Sequence, residues 1–198
     1  MKTPIRMAVA AGLAWAVIAA AAGSLLVANA AGSRGNGPEL AAVKAAVAKY
    51  HTTDAAEAAG WGLVPGLDFC FEMPGTGGMG IHYINTAPDV LDLNLDATQP
   101  EALVYQQMPD GSLHLGAVEY IVPQGPWDAA HPLDANGQRE LPSINGLGPE
   151  PMSLHLNASL GVYVLHAWIF TKNPAGTFAD WNPDVSCLPG TGHMHDMG

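Results

Sequence analysis

The chain has 198 residues, with 18 acidic against 7 basic side chains, a formal net charge of −11 and only 13% charged residues beside 23 glycines and 16 prolines. So acidic a chain is repelled by phosphate backbones and anionic membrane surfaces, which argues against nucleic acid as a partner and against membrane contact beyond the N-terminal segment. The length and the low charge content describe one domain with a sizeable core whose elements are joined by many turns.

Residues 1–30 read as an export signal. Lys2 and Arg6 give a positive start, Met7 to Val27 is apolar and Ala-rich, and Ala28-Asn29-Ala30 is a small-x-small cleavage site. At about 20 residues the apolar run is also long enough for a retained membrane anchor. Without residues 1–30, 5 basic side chains remain against 18 acidic ones, a net charge of −13. The expected destination is secreted, periplasmic or on a bacterial cell surface. Cys70 and Cys187 are the two thiols, and in an oxidising compartment they are expected to pair, the alternative being two free buried thiols. Closing a loop of about 100 residues stabilises by about 4 to 5 kcal/mol on chain-entropy grounds.

Residues 31–37 read as a linker, 38–188 as one globular domain and 189–198 as a flexible His/Met tail, whose donors suit copper if it is ordered. Pro38, Leu40, Val43, Val47 and Tyr50 predict an amphipathic helix. Asp54 and Glu57 predict the capping box of a second short helix that ends at Gly60. From Leu67 the period changes to two. Strands are expected at 67–71, 81–84, 101–106, 113–122, 152–157 and 162–170. A glycine-dense hairpin or bulge is expected at 72–80, and a solvated loop at 85–100. In the 113–122 strand Leu113, Leu115, Ala117, Glu119 and Ile121 are expected to share one face, with Glu119 the only charge in an apolar row. Residues 123–151 form a loop long enough to cover a site, or else a plain surface excursion. In the last strand Val162, Val164, His166, Trp168 and Phe170 alternate with Tyr163, Leu165, Ala167 and Ile169. Both faces are apolar, which predicts a central strand.

The expected fold is therefore α+β: two short N-terminal helices packed on a mostly antiparallel sheet or small open barrel. Three titratable groups fall inside apolar strands, His82, Glu119 and His166, and each needs a partner when buried. Two imidazoles and a carboxylate are a common donor set for zinc, copper, manganese or iron. Glu101, His114 and His155 are candidate fourth ligands or outer partners. The same groups also suit a purely structural polar network. A third reading is a small-molecule pocket, of a carrier or an enzyme, beneath the 123–151 loop, with Tyr83, Tyr105, Trp127 and Trp168 as walls. The sequence has no GxSxG nucleophile motif.

The segments GGMGIHY (77–83), PEALVY (100–105), GAVEY (116–120), LHAW (165–168) and NPAGTFADWNPDVSC (173–187) resemble a family of exported bacterial proteins with no assigned reaction. The resemblance spans roughly residues 60 to 187. It implies a single secreted domain with His82, Tyr83, Glu101, Glu119 and His166 at motif positions.

Overall fold

The computed structural model describes residues 37–193, so the expected export signal at 1–30, residues 31–36 of the expected linker and residues 194–198 lie outside the described residues. Helix α1 (Pro38–Val47) opens on a proline whose missing N–H costs nothing in a first turn, and it buries Leu40, Val43 and Val47. A 3-10 turn, Ala48–Tyr50, leads to α2 (Thr53–Glu57). The cap of α2 is Thr52, whose hydroxyl accepts from the Ala55 amide at 3.3 Å, in place of the Asp54 start expected from spacing. Gly60 supplies the expected left-handed residue, at φ 103°.

The strands are β1 (Cys70–Met73), β2 (Gly77–Ile84), β3 (Ala102–Gln107), β4 (Leu113–Pro123), β5 (Ser143–Ile144), β6 (Met152–Ser153), β7 (His155–Asn157), β8 (Val162–Ala167) and β9 (Gly192–His193). Seven of them form one sheet in the order β7-β8-β4-β3-β2-β1-β9. All its pairings are antiparallel except the edge pair of β1 with β9. The α+β architecture with a mostly antiparallel sheet is as expected. Three details differ. The centre of the sheet is β3 and β4, whereas β8 is flanked on one side only by the three-residue β7. The 189–198 tail is ordered at its start, since Gly192–His193 adds a parallel strand to β1. The 123–151 segment is not structureless, for it contains α3 (Gln124–Ala130) and β5.

One face of the sheet holds the main core. Tyr83, Leu103, Tyr105, Val118, Tyr120, Val122, Tyr163 and Leu165 pack there with Leu40, Val43 and Val47 of α1 and with Ile144, Leu147 and Leu154. The Tyr105 hydroxyl donates to the Tyr50 carbonyl at 2.6 Å, so the helices are fastened to the sheet by a buried polar link as well as by area. The 123–151 segment is fixed to the same face. Trp127 donates to the Glu140 carbonyl at 2.8 Å, and Tyr163 donates to Asp128 at 2.8 Å, which also pairs with Arg139 at 3.1 Å.

Two bulges decide what reaches the other face. In β4, Leu115 pairs with Tyr105 but Ala117 pairs with Val104, so Gly116 is an extra residue. The bulge reverses the alternation: Leu113 and Leu115 join the main core, while Ala117, Glu119 and Ile121 point to the opposite face. The single apolar row expected for residues 113–121 is therefore split at Gly116. In β2, Phe71 opposes Gly80 and Glu72 opposes Gly78, which leaves Met79 as the extra residue of the expected glycine-rich bulge. Gly80 sits at φ 107° with its missing side chain directed at the Tyr105 carbonyl, a position only glycine tolerates.

The Cys70–Cys187 disulfide is formed, across a sequence separation of 117. A disulfide is the mark of an oxidising, extracytoplasmic location. Among the described residues no helix is long and apolar enough to cross a membrane.

Candidate metal centre

The second face of the sheet carries the site. Ala102, Ile121 and Val164 form one apolar cluster there, and Val104, Ala117, Trp168 and Val185 form another. Among them, on β2, β4 and β8, stand His82, Glu119 and His166, all buried. Glu119 and His166 are direct partners in the β4–β8 register. His82 comes from two strands further across, since β2 is separated from β8 by β3 and β4. On a flat sheet those two strands would lie about 14 Å apart. The imidazoles nonetheless meet with Nε2 to Nε2 at 3.2 Å, so the sheet curls toward this face. The small Ala102 and Ala117, both fully buried, leave room over β3 and β4 for rings arriving from either side.

The spacing is that of a coordination shell. His82 Nε2 lies 3.4 Å from a Glu119 carboxylate oxygen and 3.2 Å from His166 Nε2, and one donor atom from each of the three residues falls within 4.8 Å of the others. Two ligands bound to one zinc at about 2.0–2.1 Å and the tetrahedral angle stand about 3.3 Å apart. The donor set, two neutral nitrogens and one carboxylate, suits a first-row transition ion. His82 Nδ1 has no hydrogen-bond partner among the described residues, nor does His166 Nδ1, and both atoms are fully buried. His166 Nδ1 faces two carboxylates just beyond hydrogen-bond length, Glu119 at 3.5 Å and Asp180 at 3.6 Å.

Electrostatics divide the two rings. Burial, reinforced by His166, pushes His82 down to about 3, so that ring is neutral. Burial alone would lower His166 too, but the Glu119 carboxylate and then Asp180 outweigh it and hold that imidazole above its ordinary value. Burial raises the Glu119 carboxyl against the pull of His166. The two carboxylates that favour a proton on His166 both face its Nδ1, Glu119 at 3.5 Å and Asp180 at 3.6 Å.

Asp180 is the residue that sequence reasoning missed. Its Oδ1 lies 3.6 Å from His166 Nδ1 and its Oδ2 3.0 Å from His155 Nε2. The two imidazoles outweigh burial and keep its carboxyl well below the usual carboxylate range. An acid behind the far nitrogen of a ligating histidine fixes the ring and raises its basicity. Asp180 arrives on an irregular strap. Trp168 donates from its indole to the Ala179 carbonyl at 2.7 Å, and Asn182 exchanges backbone hydrogen bonds with Gly78 of β2 at 3.0 and 3.1 Å. Its one signal in the sequence is an acid set between Ala179 and Trp181, inside the 173–187 segment.

The other candidates separate cleanly. His155 faces Asp180 at 3.0 Å and stands outside the three-residue group. Glu101 is buried away from the cluster. Its carboxylate accepts the Ile121 amide at 2.9 Å, and burial pushes it up to about 8. His114 is exposed beside Ser112. Neither is a ligand. The pocket walls are a further correction. A cavity of about 480 Å³ opens over the cluster, and none of Tyr83, Tyr105, Trp127, Trp168 or residues 123–151 lines it. The tyrosines and Trp127 belong to the main-core side instead. A separate polar cleft lies within the 123–151 segment around His131 and Arg139, and it contains none of the predicted walls. No family model, no curated protein and no solved structure matches the chain.

Proposed function

We propose that this is an exported binding protein that holds one divalent transition ion on His82 Nε2, His166 Nε2 and Glu119, with Asp180 and His155 as outer partners. The observation that carries this reading is the convergence of three buried donors from three strands at coordination-shell distances. Three protein ligands leave one position open toward the cavity, the arrangement found where a metal binds water or a small molecule. With no thiolate among the donors, zinc, copper(II), iron(II) and manganese(II) are the candidate ions, and affinity is expected to follow the usual divalent series, copper first. The apolar start of the chain and the resemblance to exported bacterial proteins support delivery outside the cytoplasm.

A second reading rests on the contacts of His166: the same three residues form a closed structural network, with His166 facing Glu119 at 3.5 Å and hydrogen-bonded to His82 at 3.2 Å. Metal analysis separates the two. Protein isolated without an affinity tag is stripped with chelator and titrated by calorimetry with zinc and copper(II). One equivalent is expected to bind, with proton release. No stoichiometric metal, together with a His166→Ala variant altered only in stability, establishes the structural network instead.

A further inference from the structure

The cavity above the cluster has a chemistry of its own. At about 480 Å³ it has room for about 16 waters at the liquid value of about 30 Å³ each, the size range of small-molecule sites. Its walls are apolar, built from Met79, Ile84, Leu91, Ile121, Val164 and Trp181, and its charged groups are confined to the His/Glu/Asp floor. Leu156 and Leu160 line it while remaining 41% and 36% exposed, so the β7–β8 hairpin leaves apolar side chains at its opening.

No lysine or arginine is among the lining residues, whereas two carboxylates, Glu119 and Asp180, are. A carboxylate or phosphate ligand would be buried beside them with no lysine or arginine to meet it, and with His166 and His155 already facing Glu119 and Asp180. A ligand cation fares no better, because Glu119 and Asp180 already face His82, His166 and His155. What the floor offers is an acceptor: Glu119 lines the cavity with its side chain 9% exposed, and its oxygens stand 3.4 and 3.5 Å from the rings of His82 and His166. A hydroxyl group both donates and accepts, and so serves nitrogen and carboxylate oxygen alike.

We infer that the cavity binds a neutral, largely apolar small molecule carrying a single hydroxyl, with the hydroxyl at the floor and the hydrocarbon against the walls. This inference goes beyond the metal reading and does not require the ion. A bound ion would add one more acceptor for the same oxygen.

The test is binding of 1-decanol, decanoate and decylamine to the full-length protein, both metal-free and zinc-loaded, followed by calorimetry and by the fluorescence of Trp181 and its neighbours. Decanol is expected to bind one to one, and about tenfold or more tighter than either charged analogue, the penalty for a buried unmatched charge. Ala158→Trp, at an exposed position that lines the opening, is expected to weaken decanol about tenfold with unchanged circular dichroism. Saturable decanol binding by protein that takes up no metal supports the inference and removes the metal reading. Stoichiometric zinc without decanol binding does the reverse. Decanoate equal to or tighter than decanol in the metal-free protein overturns the inference, and so does decanol binding that Ala158→Trp leaves unchanged.

Discussion

Replacing Glu119 with glutamine isolates the metal claim, because the amide keeps the size of the side chain and removes the one anion that touches both rings, 3.4 Å from His82 and 3.5 Å from His166. In the unaltered protein, zinc at about 100 times its dissociation constant stabilises the fold by about 2.7 kcal/mol. For a domain of this size that is a rise in Tm of about 5 to 11 °C. Loss of an outer partner of a ligand alone costs about 10- to 100-fold in metal affinity, so loss of the anionic ligand is taken as at least about 100-fold. The same zinc concentration then stands near the variant's dissociation constant and stabilises it by about 0.4 kcal/mol, or about 1 to 2 °C. Differential scanning fluorimetry with and without zinc reads both values. His193→Ala with His195→Ala removes the tail imidazoles and is expected to leave the large shift in place. An equal zinc shift in the Glu119→Gln and unaltered proteins would refute the assignment of these ligands.

Three further outcomes follow from the same geometry. Asp180→Asn keeps the strap but weakens the hold on His166, and is expected to lower zinc affinity about 10- to 100-fold by calorimetry with little change in metal-free stability. Glu101→Gln keeps an acceptor for the Ile121 amide without a group that ionises on unfolding. The carboxyl of Glu101 is raised to about 8, so its stabilisation is complete below the unfolded value of 4.5 and is lost as pH rises through about 8. The variant is therefore expected to gain over the unaltered protein from about pH 5 upward, by up to about 3 kcal/mol at pH 7, in urea titrations at a series of pH values; a constant difference across pH removes that account. Cys70→Ser with Cys187→Ser opens a loop of 117 residues and is expected to cost about 5 kcal/mol of stability by the chain-entropy relation, measured as a lower denaturant midpoint.

Local pattern made much of this legible. The β8 alternation separates Val162, Val164 and His166 from Tyr163, Leu165 and Ala167, and it holds until the strand ends at Ala167, beyond which Phe170 packs with the main core. His82, Glu119 and His166 stand out in the sequence because a titratable group in an apolar strand needs an explanation wherever the strand pairs. Register was the hidden variable. Gly116 lets β4 slip one residue against β3, which sends Leu113 and Leu115 to the opposite face from Glu119, and a single sequence offers only the glycine as a hint of it. The cavity walls were misassigned for a related reason. Tyr83 and Tyr105 are neighbours of site residues in the chain, but period two places them on the other side of the sheet. Asp180 was hidden more deeply, since it comes from an irregular strap whose position depends on backbone pairing of Asn182 with Gly78, far away in sequence.

The most direct measurement is anomalous diffraction at the zinc edge from crystals of the chelator-stripped protein soaked with one equivalent of zinc. The account predicts one peak at full occupancy, about 2.0 to 2.1 Å from His82 Nε2, His166 Nε2 and a Glu119 oxygen. A peak found only on the tail histidines, or a cluster that keeps its hydrogen-bonded His82–His166 contact with no ion between the rings, would contradict it.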